Sequence, residues 1–226
     1  MRDDKPEYDV LVVGSGFAGL CTAVKLREAG IDNFLVLEKD AEAGGTWWAN
    51  SYPGCAVDVP SHLYSFSFAP NAGWTRAFAR QDELLAYTRG IVRDFDLQRH
   101  LRLATAFEGA DFVEQGGYWR VHTSAGQLTA KCIIGATGAL NRPAIPDLPG
   151  LADFGGKVFH SSRWDHAFAL RGKRVAVVGT GASAIQFVPE IVDQVARLDL
   201  YQRTAPWVLP RPDRAIGRVE RLLLAR

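Results

Sequence analysis

The sequence has few cysteines and no long apolar run, and these shortages exclude several classes of protein. Its three cysteines, Cys21, Cys55 and Cys132, are far apart and include no C-x-x-C pair, which excludes a disulfide framework or a redox pair of that kind. We interpret Cys21 and Cys132 as small, buried apolar residues. The apolar stretches at residues 10–13 and 20–24 are far too short to span a membrane.

Excess charge of either sign is also missing. There are 26 Lys and Arg against 25 Asp and Glu, and no basic run or stripe, so nucleic acid is not an expected partner. The first ten residues are charged, which predicts no secretory leader, and we expect a cytoplasmic protein. With 47% hydrophobic and 23% charged residues the composition is that of an ordinary folded chain.

The start of the chain has the pattern of a dinucleotide-binding fold. A strand is predicted at Tyr8–Val13, followed by the turn Gly14–Gly19, a helix at Leu20–Ala29 and a strand at Asn33–Leu37. In this G-x-G-x-x-G turn the glycines permit a tight bend, the approach of a pyrophosphate and close helix–strand packing. Glu38 is the acid expected about 20 residues further on, where a carboxylate accepts ribose hydroxyls.

The same order of elements returns later in the chain. A strand at Arg174–Val178 precedes the turn Gly179–Ala184, a helix to about Ala196 and a strand at Leu198–Gln202. Ala184 stands at the place of the third glycine, which the pattern tolerates.

The residue that follows each second strand distinguishes the two turns. Glu38 lies 24 positions after Gly14, and the same step from Gly179 reaches Arg203. A guanidinium cannot accept ribose hydroxyls, but it suits a 2′-phosphate, and Thr204 adds a hydroxyl donor. The first turn therefore favours FAD or NAD and the second NADPH.

The remaining patterns complete a predicted α/β fold with two Rossmann-like parallel-sheet units, a small antiparallel meander, and a second unit that is incomplete. The long loop at residues 41–74 is of a kind that is usually functional. Further predicted elements are a helix at Gln81–Phe95, strands at Arg102–Phe107, Ala110–Glu114, Tyr118–Thr123 and Gln127–Ile134, an extended linker at Asn141–Gly150, and an amphipathic helix at Asp213–Arg226. We divide the chain into an FAD-binding segment at 1–140, a linker at 141–172 and the start of an NADPH-binding domain at 173–226.

One stretch before the second turn resembles a family fingerprint. Phe154, Gly156, His160, Trp164 and Asp165 fit the pattern F-x-G-x-x-x-H-x-x-x-W-[PD] of type I Baeyer–Villiger monooxygenases. The related flavin-containing monooxygenases have Tyr or Phe at the place of Trp164. The absence of a redox cysteine pair also favours oxygen-using enzymes over disulfide reductases.

Four further segments are similar to this family: 44–48 and 52–59 resemble its flavin-wrapping loop, 135–138 its A-T-G turn, and 202–204 its Q-R-T at the NADPH phosphate. Val57 replaces the Cys often found before the family's Asp, here Asp58. The resemblance implies that Asp58, His160 and Trp164 serve catalysis. It implies cofactor contacts from Gly14, Gly16, Phe17, Ala18, Gly19, Glu38, Lys39, Gly45, Thr46, Trp47, Trp48, Tyr52, Asp58, Tyr64, Thr137, Gly179, Thr180, Gly181, Ala182, Ser183, Ala184, Arg203 and Thr204. The alternative for Trp47 and Trp48 is that they are ordinary core aromatics.

The resemblance implies FAD and NADPH as cofactors, and insertion of one oxygen atom of O2 next to a ketone carbonyl. Family members are much longer and supply a catalytic arginine that we expect beyond residue 226, so we expect a truncated form with exposed apolar faces. Two alternatives stay open. The chain is a non-catalytic FAD- and NADP-binding fragment or a subunit with a separately encoded C-terminal half, or it is a flavin-containing monooxygenase that oxygenates nitrogen or sulfur.

Overall fold

The strand Tyr8–Val13, β1, lies in the middle of a six-stranded mixed sheet. The chain continues through the helix α1 (Phe17–Glu28) to β2 (Phe34–Leu37), which is parallel to β1. The computed structural model describes residues 5–224 and divides into two units, of which the first comprises residues 5–48 and 85–141. All of β2 and four residues of β1 are buried, as expected for central parallel strands.

The rest of the first unit extends this sheet on both sides. The further elements are α2 (Thr46–Ala49), α3 (Gln81–Asp94, in this unit from Leu85 onward), a 3-10 turn (Gln98–His100), β3 (Leu101–Arg102), β4 (Phe107–Val113), β5 (Tyr118–Thr123) and β6 (Gly126–Gly135). The strand order is β3-β2-β1-β6-β5-β4. Because β6 is parallel to β1 and antiparallel to β5, the predicted meander is part of the main sheet.

One core cluster of this unit is built by both parts of the sheet. Leu11, Leu35 and Leu37 from the parallel strands pack with Val121 and Leu128 from the hairpin. In the register of β1 and β6, Val13 is opposite Gly135. This register places the end of β6 beside the first glycine-rich turn.

The second unit comprises residues 49–84 and 142–224 and contains a two-stranded parallel sheet. Its elements are β7 (Arg174–Val178), α4 (Ala182–Ile191), β8 (Arg197–Tyr201), α5 (Arg218–Leu224) and 3-10 turns at Ser61–Leu63, Leu151–Asp153 and Ser161–Arg163. The α/β fold class with two dinucleotide-type openings is confirmed.

Three predicted elements are wrong in extent. The strand predicted at Arg102–Phe107 does not form, because Ala104 has a positive φ of +50° that interrupts extended backbone. The helix predicted from Asp213 begins only at Arg218, since residues 213–216 bond in extended form to 75–78. Its last two predicted residues, 225 and 226, are outside the described residues.

The third is the helix after the second turn, which ends at Ile191 instead of continuing to about Ala196. Residues 194–196 form main-chain hydrogen bonds with residues 172 and 173 instead of continuing the helix. The Gly172 N–H donates to the Gln194 carbonyl and the Ala196 N–H to the Lys173 carbonyl, which ties this segment to the entry of β7.

Exposure corrects one prediction and confirms another. Cys132 is exposed on β6 and Cys21 is only partly buried, so interpreting both as buried apolar residues was wrong, whereas Cys55 is buried. Large apolar side chains of the second unit are exposed as expected, including Leu200, Trp207 and Leu209. Within residues 5–224, no helix combines the length and apolar character that crossing a membrane requires.

Candidate dinucleotide-binding sites

The first glycine-rich turn is fixed by contacts that only glycine allows. Gly14 has a φ of +104°, and its N–H donates to the Leu37 carbonyl at 2.8 Å. A Cβ on Gly14 would lie 2.5 Å from the Ala136 carbonyl oxygen, and one on Gly19 would lie 1.8 Å from the Gly14 carbonyl oxygen. These glycines therefore serve the packing of α1 against the sheet.

Gly16 is different, because the protein leaves space beside it. A Cβ there would meet only the Gly45 Cα, at 3.5 Å. Gly16 is the N-cap of α1 and no side chain caps it, so main-chain N–H groups of the first turn are available to an anion. The arrangement fits the approach of a pyrophosphate.

Glu38 holds this turn from the end of β2. Its Oε2 accepts hydrogen bonds from the Ser15 N–H at 2.9 Å and the Ser15 hydroxyl at 2.7 Å, and its Oε1 accepts one from the Asp40 N–H at 3.0 Å. Both Ser15 and Glu38 are buried. The carboxylate is thus fixed beside the turn with acceptor capacity left on Oε1.

The second turn repeats this backbone. Gly179 has a φ of +103°, and its N–H donates to the Tyr201 carbonyl at 2.9 Å. Gly181 is the uncapped N-cap of α4, and a Cβ there would meet nothing within 4 Å. Ala184 is buried at the place of the third glycine. Two turns of one geometry therefore offer two places for a pyrophosphate.

The main-chain bonds show that Gln202, and not Arg203, occupies the position in the second motif that Glu38 occupies in the first. Gly14 bonds to a carbonyl 23 positions later and Gly179 to one 22 positions later, so the segment from the turn to the end of the second strand is one residue shorter in the second unit. Gln202 follows Tyr201 as Glu38 follows Leu37, and its Nε2 donates to the Thr180 hydroxyl at 3.0 Å. Arg203 comes one position later, at the place of Lys39.

In the second unit, a loop at residues 52–56 is docked on α4 by one amide side chain. Gln186 Oε1 accepts from the Tyr52 hydroxyl and from the Ala56 N–H, both at 3.1 Å, and Gln186 Nε2 donates to the Ala56 carbonyl at 3.0 Å. Gly54, with a φ of +75°, lies close enough that a Cβ would be 2.7 Å from the Gln186 carbonyl oxygen. The loop and the helix of the second turn are therefore one packed structure.

Burial changes the acidity of two groups in this loop. Burial raises the pKa of the Tyr52 hydroxyl to about 12 and that of the Cys55 thiol to about 11. Both groups are therefore protonated near neutral pH. A protonated, buried Cys55 is a structural residue and not a nucleophile.

The fingerprint segment forms a short, internally bonded structure. His160 is the N-cap of the turn Ser161–Arg163, and its Nδ1 accepts the Ser162 N–H at 3.1 Å, which places the proton of a neutral ring on Nε2. Asp165 pairs with Lys157 at 2.7 Å, and the hydrogen bond from Lys157 lowers the pKa of this carboxyl.

Trp164 belongs to a row of aromatic rings. Its ring centroid lies 5.2 Å from Phe159 and 5.1 Å from Phe187 of α4, and Phe187 in turn lies 6.2 Å from Tyr52. The row packs the fingerprint and the loop against the same helix. The two interpretations of Trp164, packing and function, are therefore compatible.

The predicted site residues divide between the units. The first unit contains Gly14, Gly16, Phe17, Ala18, Gly19, Glu38, Lys39, Gly45, Thr46, Trp47, Trp48 and Thr137, and the second contains Tyr52, Asp58, Tyr64, His160, Trp164, Gly179, Thr180, Gly181, Ala182, Ser183, Ala184, Arg203 and Thr204. Trp47 is buried, as the core interpretation expects, and Asp58 is exposed. In the described part of the chain, no group of three or more His, Cys, Asp and Glu could hold a metal ion.

Sequence reasoning missed the partners of these residues. Ser15 lies at an unspecified position of its motif, and nothing in the pattern marks it. Gln186 is the only amide side chain in the sequence ASAIQFVPEI of α4, and this isolated polar residue was an available signal.

Comparison with known proteins assigns the chain to a family. The family of pyridine nucleotide-disulphide oxidoreductases matches residues 11–217. The chain belongs to this family. Although the family is named after disulfide oxidoreductases, the three cysteines of this chain are free thiols.

Within the family, the resemblance to the N-terminal part of Baeyer–Villiger monooxygenases is confirmed. A Baeyer–Villiger monooxygenase of Pseudomonas aeruginosa is 54% identical over 213 residues, which is 94% of this chain and 40% of the relative. One from Streptomyces coelicolor is 54% identical over 95% of this chain and 41% of the relative. The chain therefore spans about two fifths of the length of the curated relatives it matches.

Solved structures of this kind share the fold. The OTEMO complex with FAD and NADP has a TM-score of 0.92 at 32% identity, covering 97% of this chain and 43% of that one. Oxidized steroid monooxygenase bound to NADP has a TM-score of 0.89 at 36% identity, covering 97% and 43%. Cyclohexanone monooxygenase bound to epsilon-caprolactone has a TM-score of 0.90 at 33% identity, covering 96% and 43%.

Proposed function

We propose that this chain is the cofactor-binding front part of an FAD- and NADPH-dependent Baeyer–Villiger monooxygenase, which inserts one oxygen atom of O2 next to a ketone carbonyl. The observation that carries the proposal is the pair of turns with one backbone geometry and different polar side chains. Relatives of this name at 54% identity, together with the fingerprint at 154–165, support the reaction class.

We assign FAD to the first turn. The open space beside Gly16 and the uncapped start of α1 fit a pyrophosphate, and Glu38 Oε1 keeps acceptor capacity for a ribose hydroxyl. Gly45, Thr46, Trp47 and Trp48 are proposed to contact the same cofactor. The OTEMO structure, which binds FAD and NADP, supports this assignment.

We assign NADPH to the second turn. The turn offers the uncapped N-terminus of α4 beside Gly181, and Arg203 and Thr204 follow β8 with a guanidinium and a hydroxyl for the 2′-phosphate. The proposed division of the chain remains an FAD-binding segment at 1–140, a linker at 141–172 and an NADPH-binding segment from 173.

FAD, when bound, would supply the chemistry that activates O2. The residues of this chain bind and orient it. Asp58, an exposed carboxylate, is proposed to position charged groups at the flavin, and His160 offers a donor at Nε2 because Nδ1 is already bonded. Trp164 is proposed to keep the fingerprint packed on α4, through Phe187.

Cofactor binding and turnover test this proposal separately. The purified chain is titrated with FAD by fluorescence quenching and with NADPH by calorimetry, with Glu38→Gln and Arg203→Ala as variants that weaken one ligand each. A folded chain that takes up neither cofactor contradicts the proposal. NADPH consumption with a cyclic ketone, and with a sulfide, then distinguishes ester formation from sulfur oxygenation.

A second candidate is a cofactor-binding subunit that needs a separate C-terminal polypeptide. The chain matches about two fifths of the length of its relatives, so this candidate is tested by adding the remaining part. Mixing the chain with the remaining part of the Pseudomonas aeruginosa relative is expected to give ester formation that neither part shows alone. Ester formation by the chain alone would contradict this candidate. We also infer a cytoplasmic location, which the three free thiols support.

A further inference from the structure

His166 forms a hydrogen bond with Ser51, the residue just before the loop at residues 52–56. The His166 Nε2 lies 2.8 Å from the Ser51 hydroxyl oxygen, although the two residues are 115 positions apart in the sequence. His166 directly follows Asp165, the last specified residue of the fingerprint. The bond therefore joins the fingerprint segment to the start of the loop, and the sequence patterns specify neither of the two residues.

A second contact runs beside this bond, within the same unit. Tyr52, next to Ser51, packs on Phe187 with a centroid distance of 6.2 Å. Trp164, near His166 in the sequence, packs on the same ring at 5.1 Å. Apolar burial is not directional, whereas a hydrogen bond has a preferred length and direction. The rings therefore hold the two segments together, and the bond between Ser51 and His166 fixes their relative position.

The main chain around His166 is held by Asp165. One oxygen of this carboxylate accepts the Ala167 N–H at 3.1 Å, which closes a turn with His166 at its centre. The other oxygen pairs with Lys157 at 2.7 Å. The His166 ring is exposed but starts from an ordered backbone, so forming the bond to Ser51 costs less conformational entropy than it would from a mobile loop.

The bond does not require one protonation state of His166. A serine hydroxyl both donates and accepts hydrogen bonds. The Nε2 atom accepts in one neutral tautomer, and it donates in the other tautomer and in the charged ring. Ser51 therefore keeps its partner in every state of the ring, and the pair is a constant support.

We propose that His166 is a positioning residue: through Ser51 it holds the loop that leads to Asp58 in the conformation that receives FAD. The inference rests on the proposed function, in which Asp58 acts at the flavin. Other anchors of this loop lie further along it, at the main chain of Ala56 and Val57. His166 supports the beginning of the loop, which these anchors do not contact.

Ser51→Ala and His166→Ala each remove the bond. Both positions are exposed, so both variants should fold with a melting temperature close to that of the wild type. His166→Gln is the conservative variant, because an amide of similar reach can bond the Ser51 hydroxyl. His122→Ala is the matched control, since it removes another histidine with a surface partner, Asp111, at 2.8 Å.

Two measurements on the full chain compare these variants. Hydrogen exchange, followed by mass spectrometry of peptides that cover residues 51–58, should become about two- to tenfold faster in Ser51→Ala and in His166→Ala. The dissociation constant of FAD, from fluorescence quenching, should rise about two- to tenfold in the same variants. The double variant should match the single ones, because both remove one bond. His166→Gln should restore the wild-type values, and His122→Ala should leave them unchanged.

The outcomes separate this inference from the proposed function. If the wild type binds FAD and both variants keep its exchange rate and affinity, the inference is wrong while the proposed function stands. Faster exchange with unchanged FAD affinity also overturns it, since the bond would then stabilise the loop without positioning it for the cofactor. Additive effects in the double variant, or no recovery in His166→Gln, would show that the bond is not the cause. A folded wild-type chain that binds no FAD overturns both.

Discussion

The carboxylate of Glu38 accepts two hydrogen bonds from Ser15, one from the main-chain N–H and one from the hydroxyl, and both residues are buried. Glu38→Gln weakens these bonds and turns an amide N–H toward buried donors. We expect the free energy of unfolding to fall by about 1–3 kcal/mol in urea titrations. The control is Glu42→Gln, whose partner Arg89 is on the surface, with an expected change below about 1 kcal/mol. Equal losses in the two variants would contradict the structural role.

Gly19→Ala should destabilise the first turn. Its Cβ would lie 1.8 Å from the main-chain oxygen of Gly14, which cannot move without shifting the turn. Overpacking of this kind costs about 1–3 kcal/mol or more. Gly135→Ala, where a Cβ meets nothing within 4 Å, should leave the melting temperature almost unchanged. An unchanged melting temperature for Gly19→Ala would show that the turn is not packed as described.

Gln186→Ala should release the loop around Ala56 from α4. The Ala56 N–H loses its acceptor, and its hydrogen exchange should become faster by at least about tenfold if the bond contributes about 1.4 kcal/mol. Gln194→Ala is the control, since its side chain bonds to the Glu190 carbonyl on the surface. Unchanged exchange at Ala56 in Gln186→Ala would refute the docking.

Asp213 should make stability depend on acidic pH. Burial opposes ionisation, but the hydrogen bonds from the Arg76 guanidinium and the Phe78 N–H hold the pKa of this carboxyl below its ordinary 3.8. Because the folded pKa is the lower one, its contribution is present above about pH 4 and is lost as pH falls through the folded pKa.

Asp213→Asn should therefore lower the free energy of unfolding at pH 6 by about 1–2 kcal/mol and by less at pH 3. Urea titrations at both pH values measure this. Asp193→Asn, at an exposed position, is the matched control and should behave as wild type. A loss for Asp213→Asn that is the same at pH 3 and pH 6 would rule out this linkage.

The cysteines should differ in reactivity. The Cys55 thiol, whose pKa burial raises to about 11, should resist iodoacetamide at pH 8 in the folded chain, whereas the exposed Cys132 should react. Mass spectrometry of timed samples identifies the modified residue, and urea-unfolded protein provides the control in which both react. Modification of Cys55 as fast as Cys132 would contradict its burial.

Local patterns predicted those parts of the structure that depend on local chemistry. The strands at Tyr8–Val13, Tyr118–Thr123 and Arg174–Val178 have the bounds that the sequence predicts, because turns rich in glycine or polar residues delimit them. Tertiary contacts set the others. Ala104 adopts a positive φ while its N–H bonds to the Asp40 carbonyl, which no pattern in the sequence indicates.

At the sites, motif spacing located both glycine-rich turns, but it gave the wrong residue as the counterpart of Glu38 in the second motif. Counting from Gly14 to Glu38 led to Arg203, since spacing alone cannot detect that the segment from the turn to the end of the second strand is one residue shorter in the second unit. The bonds of Gln186 to the loop join residues 130 positions apart, which periodicity along one helix cannot indicate.

The strand β6 serves both the parallel and the antiparallel part of the sheet, and this limits where the chain tolerates a change in length. The Ala136 N–H, just after β6, donates to the Val13 carbonyl, and the Ala136 carbonyl lies against Gly14. One residue inserted within β6 would move this backbone away from the first glycine-rich turn and reverse the faces of the side chains that follow. Extra residues at the β4–β5 connection, 114–117, leave that turn in place, so a tag or label belongs there.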